Sequence, residues 1–168
     1  EQAGILIARP AGGTSCRLAI SAKGGTNAEN HNHNDVGSYA VALGSETMVG
    51  DQGGPNSYPG DYFNGDAPQK YKIKGSFGHP VPVVDGRTQS SGGKAKGVVL
   101  QKEFTNEKDV FSIDYTSAYS TPNLDKLIRT FVYDRQGKGN FTVGDEFTAK
   151  TPIRFETAIT TRADWKIL

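Results

Sequence analysis

His31-Asn32-His33-Asn34-Asp35 places two of the chain's three histidines two residues apart and follows them with a carboxylate. Imidazole nitrogen ligates borderline metals such as zinc, and with an ordinary pKa of about 6.5 it also serves as a base near neutral pH. In an extended strand residues i, i+2 and i+4 share a face, so His31, His33 and Asp35 are expected to converge; on a helix the two histidines would point to nearly opposite sides. Lys23-Gly24-Gly25 ahead of the segment and Gly37 behind it predict a loop-to-strand transition rather than a helix. Two more groups join the candidate set: Asp51, closing the short strand Met48-Val49-Gly50-Asp51, and His79, in Gly78-His79-Pro80. Any three of these five groups suit a divalent ion, and histidines hydrogen-bonded to backbone at a rim are the plainer alternative.

The elements that must position these groups read as strands. Cys16, Leu18 and Ile20 alternate with other residues, as do Tyr39, Val41 and Leu43, then Phe111, Ile113 and Tyr115, then Ile153, Phe155, Thr157 and Ile159. Leu127 to Asp134 and Phe141 to Phe147 add a pair joined by the turn-like Arg135-Gln136-Gly137-Lys138-Gly139-Asn140. Helical periodicity is almost absent. Asp51 to Lys70 holds glycines, prolines, Tyr58, Tyr62 and Phe63 without a period, and is expected to be a long surface loop; Phe77 to Gly97 is expected to be a second irregular stretch. Together these patterns predict an all-β fold, an antiparallel β-sandwich of about ten or more strands in a single domain spanning residues 1–168.

Composition narrows the function classes. With 19 basic and 18 acidic residues the net charge is +1, so no global field points to nucleic acid, and an acidic ligand must be gripped locally. Lys70, Lys72 and Lys74, with Lys94 and Lys96 further on, read first as solvated lysines on a strand edge and second as contacts to such a ligand. Cys16, the single cysteine, cannot form an internal disulfide and sits in an apolar alternation, which predicts a buried thiol. No apolar run approaches the roughly 20 residues that cross a bilayer, and no signal peptide opens the chain. The chain starts without methionine and stops inside strand-like Trp165-Lys166-Ile167-Leu168, as expected of a piece of a longer protein.

Gly25 followed after five residues by His31-Asn32-His33 matches the opening of the cupin metal-binding motif. The match then fails, because that motif needs a glutamate soon after the second histidine and none occurs before Glu46. A longer ordered string is far more specific: Ala22-Lys23-Gly24-Gly25, Glu29 to Tyr39, Asp51-Gln52-Gly53, Gly78-His79 and Pro82 to Gly86. It resembles the C-terminal β-sandwich domain of the heparinase II/III-like polysaccharide lyases. The similarity spans Ala22 to Gly86, and the remaining strands agree only in class.

The resemblance implies a lyase that cleaves a uronic-acid-containing glycan by β-elimination, periplasmic or secreted, whose acidic polysaccharide lies between the sandwich and an N-terminal helical toroid of the same full-length chain. Carried over by position, it implies that His31 is the catalytic or carboxylate-facing histidine and that His33, Asp51 and His79 hold a structural zinc, or an alternative divalent metal. The family's main acid/base tyrosine belongs to the toroid, so the isolated domain is expected to be incomplete as an enzyme. Asn30 and Asn32 are candidate donors to the substrate, with local turns to backbone as the alternative. Lys23 is a candidate cation at the cleft, and Tyr58, with Tyr62 and Phe63, a candidate sugar-stacking surface, against core packing. A non-catalytic carbohydrate-binding sandwich is the leading rival. The sequence does not specify which uronic-acid glycan is cleaved.

Overall fold

A computed structural model describes residues 4–51 and 53–166. It is nearly all β, with 43% strand and 6% helix, and its three antiparallel sheets form the expected sandwich. One sheet has the order β1-β2-β4-β5, built from Ile5–Ala8 (β1), Leu18–Lys23 (β2), Tyr39–Leu43 (β4) and Glu46–Val49 (β5). The other has the order β10-β9-β8-β7-β3, built from Asn140–Ala149 (β10), Leu124–Asp134 (β9), Lys108–Asp114 (β8), Gly92–Phe104 (β7) and Gly25–Asn27 (β3). Pro82–Val84 (β6) pairs separately with Phe155–Thr157 (β11), and the helix Ala67–Lys70 (α1) is a single turn.

Period-two alternation drives this arrangement, because one face of each strand must leave water. Leu6, Ala8, Ile20 and Ala22 from the first sheet join Phe111, Ile113, Leu127, Phe131 and Tyr133 from the second in one buried cluster. Phe131 stacks between Phe111 and Phe141 on the neighbouring strands, with ring centroids 6.1 Å apart on each side. Cys16 is buried as a free thiol, 3.5 Å from the Tyr133 hydroxyl.

Lys23-Gly24-Gly25, which opens the histidine motif, is the corner where the chain leaves one sheet for the other. β2 ends at Lys23 in the first sheet and β3 begins at Gly25 in the second. Gly25 has φ +64°, a conformation that favours glycine, and Gly24, which donates its N–H to the Gly4 carbonyl at 2.8 Å, is tight enough that an added Cβ would sit 3.3 Å from that carbonyl oxygen. Two expectations are corrected. Phe77 to Gly97 is not irregular throughout: it contains β6 and the start of β7, whose inward residue Ala95 is nearly hidden among glycines and lysines. Lys70, Lys72 and Lys74 lie on no strand edge; they fall in α1 and the turn after it, and Lys74 is buried.

Candidate functional site

The histidine segment is a loop between β3 and β4, not a strand, so the shared strand face expected of His31, His33 and Asp35 does not exist. His31 has φ +58°, a left-handed conformation that non-glycine side chains rarely adopt, and this breaks the extended run between the two histidines. The consequence is a separation of rings. His31 lies against Phe63 with centroids 4.5 Å apart, whereas His33 lies 5.0 Å from His79. Asp35 joins neither group; its carboxylate is ion-paired with the Lys23 ammonium.

His33, His79 and Asp51 come from three separate segments and form a compact donor set. His33 Nδ1 is 3.0 Å from His79 Nε2, and Asp51 Oδ2 lies 3.8 Å from His33 Nδ1 and 3.5 Å from His79 Nδ1. One ligand atom from each residue lies within 4.8 Å of the others, close enough to hold one metal ion. His33 Nδ1 and His79 Nε2 lie at hydrogen-bonding distance, with donor and acceptor set by the tautomer of each ring; with both of these nitrogens unprotonated the same pair would be able to ligate one ion. Burial, followed by the neighbouring His79, lowers the His33 pKa, which favours the neutral, ligating form of the ring. Two imidazoles and a carboxylate suit zinc and leave a fourth position open.

Each ligand is held from behind. Asp51 accepts the Gly53 N–H on its other oxygen, Oδ1, at 2.7 Å, which fixes which oxygen faces the histidines. Its neighbour Gly50 is pinned by Thr160, through Gly50 N–H to the Thr160 carbonyl at 3.1 Å and the Thr160 hydroxyl to the Gly50 carbonyl at 2.7 Å. Next to His33, Asn34 is buried, donating from its amide to the Gln89 carbonyl at 3.0 Å while its backbone N–H meets the Lys74 carbonyl at 2.8 Å. Gln89 pairs its own amide with both backbone groups of Val36. His79 follows a 3₁₀ turn, Ser76–Gly78, and is itself buried.

Arg129 ties the histidine loop to the His79 loop. Its guanidinium grips Asp145 with two bonds, at 2.8 and 2.7 Å, and its Nη1 donates to the carbonyls of Gly37 and Pro80 at 2.8 and 2.7 Å. It is almost wholly buried, and the Tyr115 hydroxyl also donates to Asp145 at 2.9 Å. Sequence reading missed Arg129, although its position between Leu127 and Phe131 in the inward row of β9 was a signal: a charge in a core register needs a buried partner.

His31 faces a different feature, an open cleft of about 660 Å³ that Asn30, Asn32, Phe63 and Lys74 also line. Asn30 is exposed there. Asn32 is engaged locally, its amide donating to the His33 carbonyl and its Oδ1 accepting from Lys23 Nζ at 3.4 Å. Lys23 is committed to Asp35 and Asn32 and lies outside this cleft's lining, so it braces the loop where sequence reading expected a cleft cation. The three loop aromatics divide: Tyr62 is buried, as core packing requires, while Tyr58 and Phe63 are 56% and 50% exposed with ring centroids 5.2 Å apart. Among the described residues no helix is long and apolar enough to cross a membrane. No model of a known family matches the chain, and no curated protein matches it in sequence.

Proposed function

We propose that this chain is the β-sandwich domain of a polysaccharide lyase, one that cleaves a uronic-acid-containing glycan by β-elimination outside the cytoplasm. The observation that carries this reading is the division of labour among the three histidines. His33 and His79 turn to Asp51, and His31 turns to Phe63 in the open cleft. β-Elimination needs a base at the C5 proton, a neutralised carboxylate beside it and a proton for the departing C4 oxygen, and it needs no water as reactant. His31 is suited to the first or second of these roles, because its ring borders the cleft beside Phe63, a half-exposed aromatic of the kind that fits the apolar side of a pyranose. Asn30 adds an exposed amide for sugar hydroxyls.

Zinc fits the donor set best, with another divalent ion as the alternative. Bound to His33, Asp51 and His79, it would supply a crosslink between three loops and so fix the histidine segment. A helical toroid of the full-length protein would supply the remaining proton-transfer group and the far wall of the cleft.

The test uses the full-length protein that carries this chain, incubated with uronic-acid polysaccharides while ultraviolet absorbance of the unsaturated uronate product is followed. Turnover is expected, and it should disappear in His31→Ala while zinc content stays stoichiometric. Binding without an unsaturated product would instead identify a carbohydrate-binding sandwich. Undiminished turnover in His31→Ala would remove the catalytic assignment.

A further inference from the structure

Lys74 stands apart from the other buried and half-buried cations. Arg129 is paired with Asp145, Arg135 with Asp109 and Lys23 with Asp35. The Lys74 side chain is almost completely buried, yet among the described residues its Nζ donates only to the Tyr62 carbonyl, at 2.8 Å, and no carboxylate pairs with it. Its other neighbours are ring faces: Nζ lies 4.8 Å from the Tyr62 centroid and 5.3 Å from the Phe63 centroid. An ammonium has three protons to donate, and a buried charge without a counter-charge is unfavourable; two aromatic faces offset only part of that cost. Burial correspondingly lowers its pKa. Lys74 also lines the cleft, and His31 and Lys74 lean on the same Phe63 ring. The one carboxylate among the cleft-lining residues, Glu29, is exposed and accepts a hydrogen bond from Thr26 at 3.2 Å.

We propose that Lys74 recognises the carboxylate of a uronic-acid residue seated in the cleft, completing the charge pair that the protein itself leaves open. This inference rests on the glycan-binding reading of the cleft and extends it by naming a specificity-determining residue. A lysine suits this role because a compact ammonium on a flexible stem needs no bidentate geometry to meet one carboxylate oxygen.

The experiment compares two ligands by calorimetry on the full-length protein that carries this chain, with His31→Ala in place so that the sugar is not cleaved: a uronic-acid tetrasaccharide, and the same tetrasaccharide with its carboxyls reduced to alcohols. With Lys74 intact this protein is expected to bind the acidic form at least about tenfold more tightly, with a preference that shrinks as salt is raised. Lys74→Met should bind both forms equally, and Lys74→Arg should keep the preference. If Lys74→Met fails to fold, as judged by its melting transition, carbon-13 and nitrogen-15 signals of the Lys74 side chain in the protein that keeps it give the answer: they should move with the acidic ligand and not with the reduced one. Equal binding of the two ligands with Lys74 intact, a preference that survives in Lys74→Met, or a silent Lys74 signal would each overturn the assignment and leave the glycan reading standing. Binding of neither ligand would remove that reading and the Lys74 assignment together.

Discussion

A left-handed backbone at His31 separates two imidazoles that extended geometry would have aligned. Such a conformation costs a bulky residue roughly 1–2 kcal/mol, and residues held this way cluster where geometry serves a ligand. Asparagine tolerates left-handed backbone far better than most side chains. His31→Asn should therefore unfold in denaturant within about 0.5 kcal/mol of the native chain, while turnover by the full-length protein is lost; a large drop in stability would show that the ring is there for packing. His79→Ala should abolish stoichiometric metal binding, measured by elemental analysis after dialysis, and leave the cleft's affinity for glycan the less affected property. The residues alone narrowed the metal donors to five groups, any three of which would serve; the set that gathers, His33, Asp51 and His79, was singled out by the resemblance. The geometry that gathers them was not legible in the sequence, since a shared strand face requires a strand and this segment is a loop.

Loops carry every candidate residue except Lys23, which ends β2, and the strands contribute by clamping those loops. Arg129 on β9 reaches Gly37 and Pro80 together, so it sets the distance between the segment bearing His33 and the segment bearing His79. Replacing it with Met would leave the half-buried Asp145 without its main partner, a loss of about 2–3 kcal/mol, below the cost of breaking a fully buried pair. The melting temperature should fall by roughly 2–4 °C for each kcal/mol lost. Metal affinity should fall as well; an unchanged melting curve would contradict the clamp. Gly37 supplies a second check. Its φ is +86° and an added Cβ would sit 3.2 Å from the Tyr115 ring, so Gly37→Ala should destabilise by about 1–2 kcal/mol in denaturant unfolding. The period-two strands were readable because alternation is a local signal. β7 was partly hidden by glycines and lysines, and the clamps by Arg129, Gln89 and Thr160 depend on pairings distant in sequence that no local pattern encodes.

For the molecule as a whole, two sheets enclose one apolar cluster, and the candidate metal centre gathers the β3–β4 loop, the end of β5 and the segment before β6. An ion that binds only the folded chain stabilises it by mass action, about 2.7 kcal/mol when free metal is about a hundredfold above its dissociation constant. A chelator should therefore lower the melting temperature by several degrees, and restored zinc should recover it; a transition indifferent to both would argue against a structural ion. Because the chain has three histidines, their ring nitrogens can be followed individually by nitrogen-15 NMR during a zinc titration. The ring signals of His33 and His79 should shift together and stop at one equivalent while those of His31 stay in place. A response from His31 in step with the others, or no response from His33 and His79, would contradict the division between a metal-holding pair and a histidine left to the sugar.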